Sequence, residues 1–72
     1  MNLCDQLKQW RLNVGLTQKQ VADYLGKDRS AVAYYEAGKV QPNAQAMLTL
    51  CFLYRVTAEE MLLCIARSTP RE

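Results

Sequence analysis

Histidine is missing altogether from these 72 residues, and cysteine occurs only as Cys4, Cys51 and Cys64. With no imidazole and such wide thiol spacing, no zinc-site pattern can be assembled, and an odd number of cysteines reads as reduced, packed thiols. Lacking histidine, a glycine-rich phosphate loop and paired acids at a plausible site, the chain is not expected to be an enzyme or to hold a cofactor, metal or small-molecule ligand. No apolar run approaches membrane-spanning length, and the opening MNLCDQLKQW mixes acid and base along an amphipathic helix, unlike a signal peptide. A cytoplasmic location, with no membrane partner, is therefore expected. Charge is also modest: a formal net charge of +2 would not by itself suggest a nucleic-acid partner.

Half of the residues are apolar. At this size one core only just stabilises a fold, so most of those side chains are needed inside a single domain. The pattern predicts an all-α architecture of five helices, with a folded domain over 1–66 and a flexible polar tail over 67–72. Leu3, Leu7, Trp10 and Val14 recur at helical steps over about Leu3 to Asn13, and Gly15 ends that run. Further on, Pro42 and Asn43 open a helix carrying Met47, Leu50, Cys51 and Tyr54, which breaks near Arg55. Thr57 with Glu60 forms a capping box for a last helix through Met61, Leu62, Cys64 and Ile65.

Between these lies LTQKQVADYLGKDRSAVAYYEAG, from Leu16 to Gly38, which reads as two short helices around a tight turn. Thr17 and Gln20 make a capping box, Val21 and Leu25 give an inward stripe, and Gly26 permits the turn. Asp28 is placed to cap the second helix, and Gly38 to close it. At roughly 100° per residue, Ser30, Ala33, Tyr34 and Ala37 fall within about 140° of Arg29, whereas Val32 and Tyr35 fall on the opposite, core side. The outward face thus carries a guanidinium, a hydroxyl, a phenol and two alanines that allow close approach. That suits a DNA major groove, where Arg is the side chain best shaped to grip guanine. Charge follows the same segment: from Lys8 to Lys39 six bases oppose three acids, whereas elsewhere acids outnumber bases by one.

At these residues the chain resembles the Cro/phage-repressor-like helix-turn-helix family, also called the Xre family, over about Leu3 to Leu63. Gln18, Ala22, Gly26 and Val32 stand at its helix start, mid-helix, turn and reading-helix positions. Tyr35, Glu36, Gly38, Pro42, Val56 and Thr57 continue the pattern in order, with Met47, Leu50 and Met61 at apolar places. The chain departs from it at Lys27, where Val or Ile is common, at Asp28, where a hydroxyl is common, and at Arg55, where Gly is usual. A residue other than glycine at that last position implies a small left-handed strain.

The resemblance implies a compact lambda-repressor-like domain that reads double-stranded DNA. Arg29, Ser30, Ala33 and Tyr34 are the expected base contacts, and Thr17, Gln18, Lys19, Lys27, Asp28 and Lys39 the phosphate-side positions, with Asp28 capping in place of contact. Gln18 is expected to bind phosphate while approaching the reading helix, helped by the free amides of its helix start. Arg11 and Glu36 look like the family's internal ion pair. Surplus apolar residues Leu48, Phe52, Leu62, Ile65 and Ala66 suggest a homodimer contact, part of which could instead complete the core. Together these give the expectation of a dimeric, sequence-specific transcriptional repressor of prokaryotic or phage type on a palindromic operator. A restriction-modification controller, an antitoxin-type autoregulator, and an interaction module that has lost DNA binding are the alternatives.

Overall fold

Short polar side chains cap the first, second and fourth helices of this small chain, and the first four helices end at left-handed residues. The computed structural model describes residues 2–68, which form α1 (Leu3–Val14), α2 (Gln18–Leu25), α3 (Arg29–Ala37), α4 (Ala44–Tyr54) and α5 (Ala58–Ser68), with no strand among them. This is the expected all-α, five-helix helix-turn-helix fold. Asn2 and Asn43 accept the amides of Asp5 and Ala46, so α1 and α4 each begin with one orphan donor satisfied. Thr17 and Gln20 form both halves of the capping box at α2, and the Thr57 hydroxyl accepts the Glu60 amide at 3.0 Å.

Two ends depart from expectation. Helix α5 runs through Arg67 and Ser68, which the sequence pattern assigns to the tail; Arg67 lies in the last turn, where the helix dipole favours a cation. The remaining tail positions 69–72, and Met1, lie outside the described residues. Asp28 occupies the N-cap position of α3 with extended backbone, yet its carboxylate makes no capping bond. The Ala31 amide that it would have bound is taken by Asp28's own carbonyl at 3.0 Å.

Leu7, Val21, Val32 and Leu50 are the largest fully buried side chains, one from each of the first four helices. Met61 and Cys64 add α5 to this core, with Leu3, Ala22, Tyr35 and Tyr54 around it. Helix α1 packs on α3, α4 and α5, while α2 packs on α3 and α4. Burying four such side chains contributes about 1.5 to 3 kcal/mol each. Burial pushes the Cys64 and Cys51 thiols up and the Tyr54 phenol well up, so all three stay protonated and act as packing groups.

Candidate nucleic-acid interface

The turn between α2 and α3 is closed by Gly26 at φ 69°, a conformation that costs a residue with Cβ about 1 to 2 kcal/mol. From it the Lys27 amide returns to the Ala22 carbonyl at 2.9 Å, so the last turn of α2 is hydrogen-bonded shut before α3 begins. Inward Val32 and Tyr35 are 1% and 7% exposed, which fixes the rotation of α3 on the core. That rotation leaves Arg29, Ser30, Tyr34 and Ala37 exposed, with Ala33 half-buried at the edge of the face. The two adjacent tyrosines therefore have opposite duties, since Tyr34 is 48% exposed. Lys39, just beyond the helix, places its ammonium 5.9 Å from the centre of the Tyr34 ring, within cation–π range.

At the start of α2 the capping box commits particular atoms. Thr17 donates its amide to Gln20 Oε1 at 2.9 Å and accepts the Gln20 amide on its hydroxyl at 3.1 Å, leaving its hydroxyl hydrogen free to donate. The amides of Gln18 and Lys19 lie in the first turn, where no intrahelical acceptor exists, and carry the positive end of the helix dipole. Lys19 is drawn along the helix to Asp23, N to O 2.8 Å, in an exposed pair. Asp23 accordingly raises the Lys19 pKa. Such pairs contribute little and open easily, so the ammonium stays available to a phosphate. Lys27 and Lys39 are exposed, as is the uncapped Asp28. An ionised carboxylate has no proton to donate to a phosphate, so Asp28 opposes an anion at the start of α3 and does not hold it.

Arg11 and Glu36 meet across the core edge with side chains 9% and 5% exposed. Arg11 Nε donates to Glu36 Oε2 at 2.6 Å and Nη2 to Oε1 at 3.1 Å, a two-pronged fork that raises the arginine pKa further. The third prong, Nη1, donates to the Leu16 carbonyl at 2.9 Å, one residue before the capping box. Gln18 then joins the pair to the outer face: its Nε2 donates to Glu36 Oε1 at 3.1 Å and its Oε1 accepts Arg29 Nη1 at 3.0 Å. Sequence reasoning placed Gln18 near the reading helix but missed this double commitment of its amide. Spacing carries no signal for contacts between residues 18 and 11 positions apart.

The apolar candidates are divided. Phe52 at 81%, Leu48 at 66% and Leu62 at 64% are the most exposed of them, and Ala66 is exposed as well. Ile65 instead packs half-buried against the core, and thus belongs to the reading in which part of this surface completes the interior. Tyr24, at 65% exposure, is a further exposed aromatic that the sequence reading did not single out. It lines an open groove with Val14, Leu16, Phe52, Leu53 and Arg55. Among the described residues no group of three or more His, Cys, Asp or Glu side chains is placed to hold a metal, and no helix is long and apolar enough to cross a membrane.

Comparison with known proteins agrees with this geometry. The family described as Helix-turn-helix matches residues 7–61. The HTH-type transcriptional activator BcrR of Enterococcus faecalis is 34% identical over 62 residues, which cover 86% of this chain and 30% of that protein. The SPbeta prophage-derived uncharacterized HTH-type transcriptional regulator YonR of Bacillus subtilis (strain 168) is 31% identical over 58 residues, covering 81% of this chain and 54% of that protein. The chain thus spans about a third to a half of the length of these two curated relatives. The crystal structure of the clp gene regulator ClgR from C. glutamicum superimposes with a TM-score of 0.77 over 94% of this chain and 87% of that one, at 18% identity, a likeness of fold. The capped α2, the glycine turn, the outward face of α3 and the match over residues 7–61 lead to one assignment: the chain belongs to the helix-turn-helix family of DNA-binding transcriptional regulators, a non-catalytic fold class, and resembles its Xre/Cro-type members.

Proposed function

We propose that this chain is a dimeric, sequence-specific repressor that inserts α3 into the major groove of a palindromic operator. The observation that carries the reading is the outward row of Arg29, Ser30 and Tyr34 on a helix whose opposite side is locked into the core. Arg29 offers a fork for guanine O6 and N7, Ser30 a small donor or acceptor, and Tyr34 a ring for a thymine methyl. Ala33 and Ala37 let the helix axis come close to the base edges. The first-turn backbone amides of α2, that of Gln18 among them, and the Thr17 hydroxyl hold phosphate and fix register, with Lys19, Lys27 and Lys39 in support.

Two such units with reading helices roughly 34 Å apart would meet successive major grooves on one side of the duplex. The exposed apolar side chains of α4 and α5, Leu48, Phe52, Leu62 and Ala66, supply the self-complementary surface that a two-fold contact needs. Repression follows from occlusion where such a site overlaps a promoter. One similar protein is named an activator, so the sign is read separately, from a reporter gene carrying the selected site.

Selection of bound duplexes from a randomised pool tests the proposal. The expected result is enrichment of a two-fold symmetric site, with affinity falling by about 0.9 log unit per log unit of salt for each neutralised phosphate. A pool that yields no enriched sequence, or binding that ignores salt, overturns it in favour of an interaction module.

A further inference from the structure

We infer that Glu36 and Gln18 are positioning residues for base readout: the buried carboxylate fixes the polarity of the Gln18 amide, and that amide holds Arg29 in its reading pose. The inference rests on the DNA-binding reading above and adds to it a determinant of sequence preference that touches no base. An ionised carboxylate only accepts hydrogen bonds. Glu36 Oε2 is filled by Arg11 Nε at 2.6 Å, while Oε1 receives both Arg11 Nη2 and Gln18 Nε2 at 3.1 Å. A reversed Gln18 amide would set carbonyl oxygen against carboxylate, two acceptors with no proton between them. The NH2 group is therefore forced inward and the carbonyl outward.

An outward carbonyl demands a donor, and α3 begins with a residue that is nothing but donors. Arg29 gives Nη1 to Gln18 Oε1 at 3.0 Å, which leaves its Nε and Nη2 hydrogens uncommitted by that bond and able to form a fork to guanine. Because Arg11 also grips the Leu16 carbonyl, the first turn of α2, from which Gln18 springs, is tied to the same ion pair. The chain of bonds thus runs from a side chain 5% exposed to one on the open face of α3. Ordering Arg29 before contact lowers the conformational entropy lost on binding, and aims the fork at one base position.

The test uses the full chain and the duplex selected above, with each of the three other base pairs substituted at the position that Arg29→Ala shows to be its contact. Wild type is expected to discriminate there by roughly tenfold to a hundredfold. In Gln18→Met, of similar length but unable to bridge, discrimination at that position is expected to fall at least threefold, while preferences at other positions hold. Added to Arg29→Ala, the same change is expected to leave base preference unaltered, whereas a simple phosphate contact or a folding defect would weaken binding without lowering discrimination while Arg29 is present. If Gln18→Met does not melt cooperatively, Gln18→Asn, which keeps the amide but cannot reach both partners, carries the same expectation. Equal weakening on every duplex, or unchanged discrimination, overturns the inference. Failure of the DNA-binding reading itself is distinguishable, since wild type would then show no salt-dependent binding before any variant is compared.

Discussion

Helices α2 and α3 are joined through Gly26 and helices α4 and α5 through Arg55, and both joints use left-handed backbone, at φ 69° and 58°. Both also close with the same backbone bond, Lys27 to Ala22 at 2.9 Å and Val56 to Cys51 at 3.1 Å. What they leave outside differs. The first pair presents Arg29, Ser30, Tyr34 and three lysines around a hydrogen-bonded network, whereas the second presents the exposed side chains of Leu48, Phe52, Leu62 and Leu63. A helix apolar on nearly every side, as α4 is, belongs in an interior or an interface. One half of the molecule thus presents an ordered polar face, the reader of the proposal above, and the other half an apolar one.

If the reader owes its rigidity to the buried ion pair, Glu36→Ala has the largest expected effect on stability. It leaves the Arg11 guanidinium buried with neither carboxylate oxygen, at a cost of roughly 3 to 5 kcal/mol. For a domain of this size that lowers Tm by more than about 10 °C, against a change near zero for the exposed Glu59→Ala. Calorimetry of the two variants side by side checks the difference, and equal melting temperatures would break the contrast between the halves. The same comparison is sharpened by Phe52→Glu, alone and with Leu62→Glu. Neither residue supports the core, so the melt of a monomeric population is expected to move little, while self-association weakens at least about tenfold, or roughly 1.4 kcal/mol. Light scattering across a concentration series reads this, and a wild type that stays monomeric with and without DNA removes the dimer.

Alkaline pH probes the core shared by both halves. Burial, reinforced by Glu36 and opposed by Arg11, raises the Tyr54 phenol, so the folded protein keeps its proton where the unfolded chain releases it. Stability from this group is therefore complete below about pH 10 and is lost as pH rises further, by about 1.4 kcal/mol per unit. Melting temperature measured across pH 9 to 11 is expected to slope downward in wild type and less steeply in Tyr54→Phe, where the raised thiols of Cys51 and Cys64 supply the slope that remains.

The two halves were also unequally legible in sequence. The capping box at Thr17, the Thr57 hydroxyl cap on the Glu60 amide, the glycine ends and the inward stripes are local devices, with partners three or four residues apart, so spacing alone exposes them. The opposition of Tyr34 and Tyr35 followed from the helical turn in the same way. What could not be read was settled by the tertiary arrangement. Asp28 lost its expected cap bond because its own carbonyl reached the Ala31 amide first. Tyr24 faces out at 65% exposure, while Val21 and Ala22 of the same helix are both at 0%. The full network from Arg11 to Arg29 joins three helices through residues 25, 18 and 11 positions apart, and no periodicity encodes it.

Arg55 offers the finest measure of the contrast, because it is the one left-handed joint among the described helices made without glycine. A Cβ in that conformation costs about 1 to 2 kcal/mol. Glycine would remove this strain, yet it also enlarges the freedom of the unfolded chain, which returns roughly 0.5 to 1 kcal/mol of the gain. The net expectation for Arg55→Gly is stabilisation by about 0.5 to 1 kcal/mol, visible as a rise in the denaturant midpoint with an unchanged slope. Arg55 also lines the groove with Tyr24 and Phe52, where its aliphatic stem can cover apolar surface that glycine would leave bare. A destabilised Arg55→Gly would therefore mean that the arginine is retained for packing at the open half of the molecule, and that its strained backbone is offset there. A stabilised variant would mean that α4 and α5 carry uncompensated strain where α2 and α3 carry none.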